Sequence, residues 1–117
     1  MVMINYGIYT WTGGSGKKYE FETYSLDAEF VPGIEGNYIF AKPIGDGKIR
    51  AVYIGEGVLK DRIEFRINEG RVQPKGCDRV CVMVNPDAAN RKFIEEDLLS
   101  SNTNAYAPLG CNIKVGG

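Results

Sequence analysis

Histidine is missing from this 117-residue chain, tryptophan occurs once and cysteine three times. Without histidine there is no imidazole to act as a general base or metal ligand near neutral pH. Cys77, Cys81 and Cys111 cannot all pair with one another, and that odd count points to a reducing compartment. Cys77 and Cys81 stand four apart in a strand-like run and are expected on one strand face. They lack a CxxC spacing, a fourth ligand and any histidine, so they read as buried thiols rather than a zinc site. No apolar run approaches the ~20 residues that cross a bilayer, so no membrane partner is expected. The opening MVMINYGIY has neither a basic leader nor a long apolar core, which makes a cytoplasmic location the expectation.

Excess charge is also missing. The formal net charge is −1, too little for a strong overall grip on nucleic acid. Its distribution is uneven, however. Residues 1–36 carry two basic and five acidic side chains, residues 37–76 eight and five, and residues 77–117 four and five. The middle third could therefore meet an anionic backbone locally through Lys42, Lys48, Arg50, Lys60, Arg62 and Arg66.

What remains is an ordinary globular composition of one-domain size, 44% hydrophobic and 25% charged. Residues 4–12 and the alternating KYEFETY, joined by GGSGK, predict a β-hairpin with a flexible turn. That turn is no phosphate loop. Trp11 occupies the place of the first glycine of a Walker loop, and Lys18 replaces its Ser or Thr. After the break at VPGIEG, NYIFAK and IRAVYIG predict a second hairpin connected through PIGDGK. Leu59, Ile63 and Ile67 recur at helical spacing up to Gly70. DRVCVMV predicts a strand, and Asn85 as cap with Pro86 at the first helical position predicts a helix running to about Ser100. The remainder, SNTNAYAPLGCNIKVGG, reads as loop. The expected fold is α+β, with helices packed on an antiparallel or mixed sheet. Residues 1–35 form an N-terminal hairpin extension and residues 36–117 the main domain, together one compact unit.

Two strings compete for one motif. Gly7-Ile8-Tyr9 is a literal GIY, and Tyr53-Ile54-Gly55 is a YIG. Two adjacent strands joined by a hairpin require the partner of YIG to lie just upstream, which selects Gly36-Asn37-Tyr38 and makes Gly7-Ile8-Tyr9 a decoy. From Gly36 to Asn112 the chain resembles the GIY-YIG nuclease domain. YIGEGVLKDR supplies Tyr53, Ile54, Gly55 and Arg62. RKFIEEDLL supplies Glu95 ahead of Leu98-Leu99, and PLGCN supplies Asn112 with one residue more than the family's closing element. Asn104 competes for that last role. Where many members carry His or Tyr after the arginine, this chain has Arg66.

The resemblance implies an endonuclease that hydrolyses DNA phosphodiesters with Mg²⁺ or another divalent cation such as Mn²⁺. Tyr38, Tyr53, Arg62, Glu95 and Asn112 are then the catalytic set, with Glu95 as metal ligand. Gly55, Lys60 and Arg66 would touch substrate, and a protein partner could supply target recognition. The chemistry is coherent. A phenol beside a metal can help move a proton from water, a role the resemblance gives to Tyr38 with Tyr53 helping to orient the site; a guanidinium fork, Arg62, suits phosphoryl oxygens, and a hydrated Mg²⁺ needs few protein ligands. The competing reading is a GIY-YIG-fold module that binds nucleic acid or protein without turnover. Structural explanations also stand beside each residue: strand packing for the tyrosines, a pair with Glu56 for Arg62, and an Arg91–Glu95 pair four apart on the helix. Tyr6, Tyr9, Trp11, Tyr19, Phe21 and Tyr24 of the first hairpin could stack on bases, but are read as extending the sheet and filling its core.

Overall fold

The computed structural model describes residues 3–113; residues 1–2 and 114–117 lie outside it, and with them the end of the closing loop. The elements are β1 (Asn5–Thr12), β2 (Lys18–Ser25), β3 (Glu35–Gly45), β4 (Lys48–Val58), α1 (Leu59–Glu69), β5 (Arg79–Val84) and α2 (Ala88–Ser101). Single 3₁₀ turns occupy Gln73–Lys75 and Thr103–Ala105. The five strands form one sheet in the order β1-β2-β5-β3-β4. All of its pairings are antiparallel, which resolves the antiparallel-or-mixed alternative. The first hairpin extends the sheet through β2 against β5, so it shares a core with the rest of the chain.

α1 and α2 cover opposite faces of this sheet. Trp11, Phe21, Ile39, Ala41, Ile54, Cys81, Ile94 and Leu98 pack on the α2 side. Tyr38, Phe40, Val52, Leu59, Ile63, Val80, Val82 and Cys77 pack on the α1 side. Alternation along β3 therefore sends Asn37, Ile39 and Ala41 one way and Tyr38 and Phe40 the other, as the pleat demands. The cysteine expectation is corrected. Cys77 precedes β5 and lies in the α1-side core, whereas Cys81 faces α2. Both are free thiols, and burial pushes Cys77 up to about 12 and Cys81 to about 11.

Three local expectations change. The β3–β4 connection is tighter than PIGDGK implied. Asp46 and Gly47 both take positive φ, 54° and 73°, the two-residue mirror-image turn that Asp-Gly favours. The second helix is capped by Asp87, whose carboxylate accepts from the Asn90 N–H at 3.1 Å, and begins at Ala88. Asn85, two residues earlier, is buried instead. The first hairpin's turn is also pinned rather than flexible. Asp97 of α2 accepts from the Ser15 N–H (2.8 Å), the Ser15 hydroxyl (2.7 Å) and the Tyr19 hydroxyl (2.7 Å). A Cβ at Gly13 would stand 2.0 Å from Asp97 Oδ2, and one at Gly14 2.0 Å from Ser100 Oγ. A side chain at either glycine would displace Asp97 or Ser100 from its place against the turn. α1 ends as expected on Gly70 at φ 72°, whose N–H donates to the Ile67 carbonyl.

The Ser15 and Tyr19 donors hold the Asp97 carboxyl below its ordinary value of 3.8. A depressed acid contributes stability above its unfolded value and loses it as pH falls through the lower native value. Asp97→Asn is therefore expected to lower the melting temperature at pH 7. The gap to the parent should narrow as pH drops below about 4, which melting curves across pH 2.5–7 would check.

Candidate active site at the β4 edge

β4 is an outer strand, so side chains arriving from both faces of the sheet can meet around it. A bulge sets the geometry. Phe40 pairs with Tyr53 but Ala41 with Ala51, leaving Val52 as the extra residue. Val52 and Tyr53 consequently both turn toward the α1 side.

Tyr38 lies on β3, directly beside the YIG strand, where it pairs with Gly55. Tyr9 belongs to β1, separated from β4 by three strands, and packs against Trp11. The Tyr38 and Tyr53 rings stack at 6.1 Å with 27° between planes. Tyr38 is almost wholly enclosed, 1% exposed, and burial drives its phenol far above the ordinary range. Tyr53 is half-buried and is the phenol that reaches the surface. Gly55 explains this stacking. A Cβ there would fall 2.4 Å from the Tyr38 hydroxyl and 2.5 Å from its Cζ. The glycine of YIG thus serves ring packing in this chain.

Arg66, one turn beyond Arg62 on α1, donates from Nη2 to the Tyr53 hydroxyl at 2.6 Å and pairs with Glu69 at 3.1 Å. Its guanidinium also lies 4.3 Å from the Tyr53 ring centre. Arg66 is thereby committed to holding Tyr53. Lys60 is committed as well, to Glu64 at 2.8 Å on the exposed face of α1. Arg62 differs from both. It is exposed, folds over Gly57, and makes no side-chain hydrogen bond or ion pair among the described residues. The pair with Glu56 does not form.

Glu95 lies on α2, which packs against β4 from the other face of the sheet. Burial raises the Tyr53 pKa most; Arg66 works against this, the Glu95 charge adds to it, and Arg62 again opposes it. Of these three charges Arg66 touches the phenol directly, while Glu95 and Arg62 act on it through their charge alone. Glu95 is only 19% exposed at its side chain and takes Lys92 at 3.3 Å rather than Arg91. Burial raises its pKa above the ordinary carboxylate range, Lys92 opposes the rise, and nearby Glu56 adds to it. Arg91 turns inward, 6% exposed, to Glu56 (2.9 Å), Glu35 (3.3 Å) and the Asn85 carbonyl (3.0 Å). Its own carbonyl accepts from Asn37 Nδ2 at 2.9 Å, and Asn85 Nδ2 donates to Asn37 Oδ1. Asn37 stands where a GIY would carry isoleucine because its side chain enters this polar cluster. The cluster escaped the sequence reading, and its one signal was an asparagine inside an apolar strand.

Asn112 bonds backbone rather than solvent. Its Oδ1 accepts from the Ile54 N–H at 2.8 Å, and its Nδ2 donates to the Ile54 carbonyl at 2.9 Å. It closes the outer edge of β4 beside the stacked tyrosines, while Asn104 is exposed with no such role.

The donor chemistry suits a loosely held hard cation. Glu95 offers a carboxylate whose partial burial is relieved by positive charge, while Glu56 is held by Arg91. Among the described residues no cluster of three or more Asp, Glu, Cys or His exists to grip a resident ion. Mg²⁺ keeps several waters and tolerates one carboxylate plus substrate phosphate, so the site fits that mode. An apolar cavity of about 300 Å³ lies on the α1 side and shares no lining residue with this cluster. No protein-family model, curated protein or solved structure matches this chain.

The ring contact gives a direct test. Gly55→Ala must displace Tyr38 and is expected to cost about 1–3 kcal/mol in urea unfolding, the usual penalty of overpacking. Lys60→Ala on the exposed helix face should stay within about 0.5 kcal/mol of the parent.

Proposed function

We propose that this protein is a divalent-metal-dependent nuclease of the GIY-YIG type, hydrolysing DNA phosphodiester bonds at the β4 edge. One observation carries the reading: a surface-reaching phenol, Tyr53, is held by Arg66 and stacked on Tyr38 on the strand against which α1, carrying Arg62, and α2, carrying Glu95, pack from opposite faces of the sheet. The site's uncommitted cation is Arg62.

Each side chain then has a task. Glu95 would hold Mg²⁺ or Mn²⁺, which when bound supplies positive charge to the leaving oxygen and acidifies nearby water. Arg62 meets the non-bridging oxygens, where charge accumulates in the transition state, with the planar fork that suits them. Tyr53 accepts from Arg66 and so keeps its own hydroxyl proton free to donate, orienting an attacking water or passing a proton. Arg66 fixes the ring and favours the ionised phenol against the opposing effect of burial. Tyr38, enclosed behind it, supports Tyr53 through ring stacking. Asn112 holds the strand that carries Tyr53, and Gly55 admits the stacked rings. Lys42 and Arg50, opposite one another in the β3–β4 register, extend the positive surface toward the hairpin tip.

The alternative, a module that binds nucleic acid or protein without turnover, is favoured by the depth of Tyr38 and by Arg66 standing where a proton acceptor is usual. Cleavage of supercoiled plasmid and branched DNA with Mg²⁺ or Mn²⁺ separates the two. Arg62→Ala and Glu95→Gln are each expected to reduce the rate by about 10²–10³-fold. Tyr53→Phe should cost more than Tyr38→Phe, and Tyr9→Phe almost nothing. DNA binding with no cleavage above that of Glu95→Gln would establish the non-catalytic alternative.

A further inference from the structure

The two outer strands of the sheet are finished differently. Along β4 the Cys111 N–H donates to the Val52 carbonyl at 2.8 Å, and Asn112 takes both backbone groups of Ile54. Along β1 no strand lies outside it among the described residues. The Gly13 N–H bonds the Lys17 carbonyl and the Ser25 N–H the Ile4 carbonyl, which fixes the ladder's phase. By the alternation of an antiparallel pair, Tyr9 and Trp11 then bond inward to β2, and Ile8 and Thr10 present their backbone groups outward, while Gly7, at the bulge, gives its N–H to Asn5 Oδ1 at 2.8 Å. The Thr12 carbonyl is taken by the Ser101 hydroxyl at 2.6 Å.

Free edges are ordinarily protected by lysine, proline or inward-pointing charge. β1 carries none of these. The first charged side chain in the sequence is Lys17, and the first proline is Pro32. Ile8 is 66% exposed on this strand. The one irregularity is the bulge between Asn5 and Gly7, at the far end from the turn.

We propose that β1 is a self-association edge, on which β1 of a second copy pairs antiparallel about a two-fold axis to join two five-stranded sheets. An edge strand is self-complementary in hydrogen bonding under such an axis. The axis would set like charges opposite one another, and β1 has no charge to repel. The centre of the β4 edge is occupied by Cys111 and Asn112, which leaves β1 as the free edge of each copy, so pairing stops at two. A contact of one strand on one strand falls below the roughly 1,200 Å² of standard interfaces, so the dimer exchanges with monomer.

Sedimentation velocity of the full chain over a concentration series from about 5 to 500 μM, the range suited to a weak interface, is the test. A shift from monomer to dimer with no larger species is expected. Thr10→Pro, which removes an outward donor, and Ile8→Lys, which charges the edge, should each weaken association at least about tenfold with unchanged far-UV circular dichroism. Thr10→Cys adds an exposed thiol to a chain whose own three cysteines are buried. Mild oxidation should link it into dimers, and Ile8→Lys in the same chain should suppress that link. Monomer at every concentration, species beyond the dimer, or association indifferent to both edge variants would overturn the proposal.

Discussion

Arg91 buries a permanent positive charge between α2 and the sheet, and the arrangement of the β4 edge depends on how that charge is met. A guanidinium taken out of water costs several kcal/mol unless its hydrogen bonds and charge are satisfied. Here Glu56 of β4, Glu35 of β3 and the Asn85 carbonyl ahead of α2 satisfy it together, while Asn37 holds the Arg91 backbone. One side chain thereby sets the distance from α2 to both strands of the second hairpin. Glu95 sits one turn further along the same helix, so its place relative to β4 is a consequence of where Arg91 is anchored. The network also occupies Glu56, leaving Glu95 as the half-buried carboxylate that Arg91 does not neutralise.

The opposite face imposes a matching constraint. Tyr38 can stack on Tyr53 only because Gly55 leaves room for its ring, and Arg66 closes the stack from α1. Arg66 takes up the Tyr53 hydroxyl, which leaves Arg62 as the outward guanidinium of that helix. With α2 fixed by a buried ion network and α1 by an aromatic stack, the two helices converge on one edge strand. The C-terminal segment completes that edge through Asn112, so the proposed site is framed by four separate parts of the chain.

Local patterns made much of this legible. The strands, α1 with its Gly70 stop and the pairing of Tyr38 with the YIG strand all follow from period, turn residues and hairpin connectivity. Hairpin connectivity placed Tyr38 rather than Tyr9 beside the Tyr53 strand, and β1 lies across the sheet from β4. What was not legible depends on partners distant in sequence. Spacing offered Glu95 to Arg91, but Glu35 and Glu56, 56 and 35 residues away, won the guanidinium. Spacing likewise put Cys77 and Cys81 on one face, whereas the strand begins only at Arg79. Gly13-Gly14 looked like a flexible turn because nothing local reveals Asp97 and Ser100 pressing against it. Asn85 had the chemistry of a cap, yet its burial beside Asn37 left Asp87 to cap the helix.

The central claim is that Tyr53, Arg62 and Glu95 form one cation-dependent site, which Mn²⁺ can report directly. In NMR spectra of the isotope-labelled chain with an uncleavable phosphorothioate oligonucleotide, paramagnetic Mn²⁺ should broaden resonances of Glu95, the Tyr53 ring and the Gly55–Gly57 backbone first. Glu95→Gln should abolish that selective broadening. Broadening centred elsewhere, or unchanged in Glu95→Gln, would contradict the account.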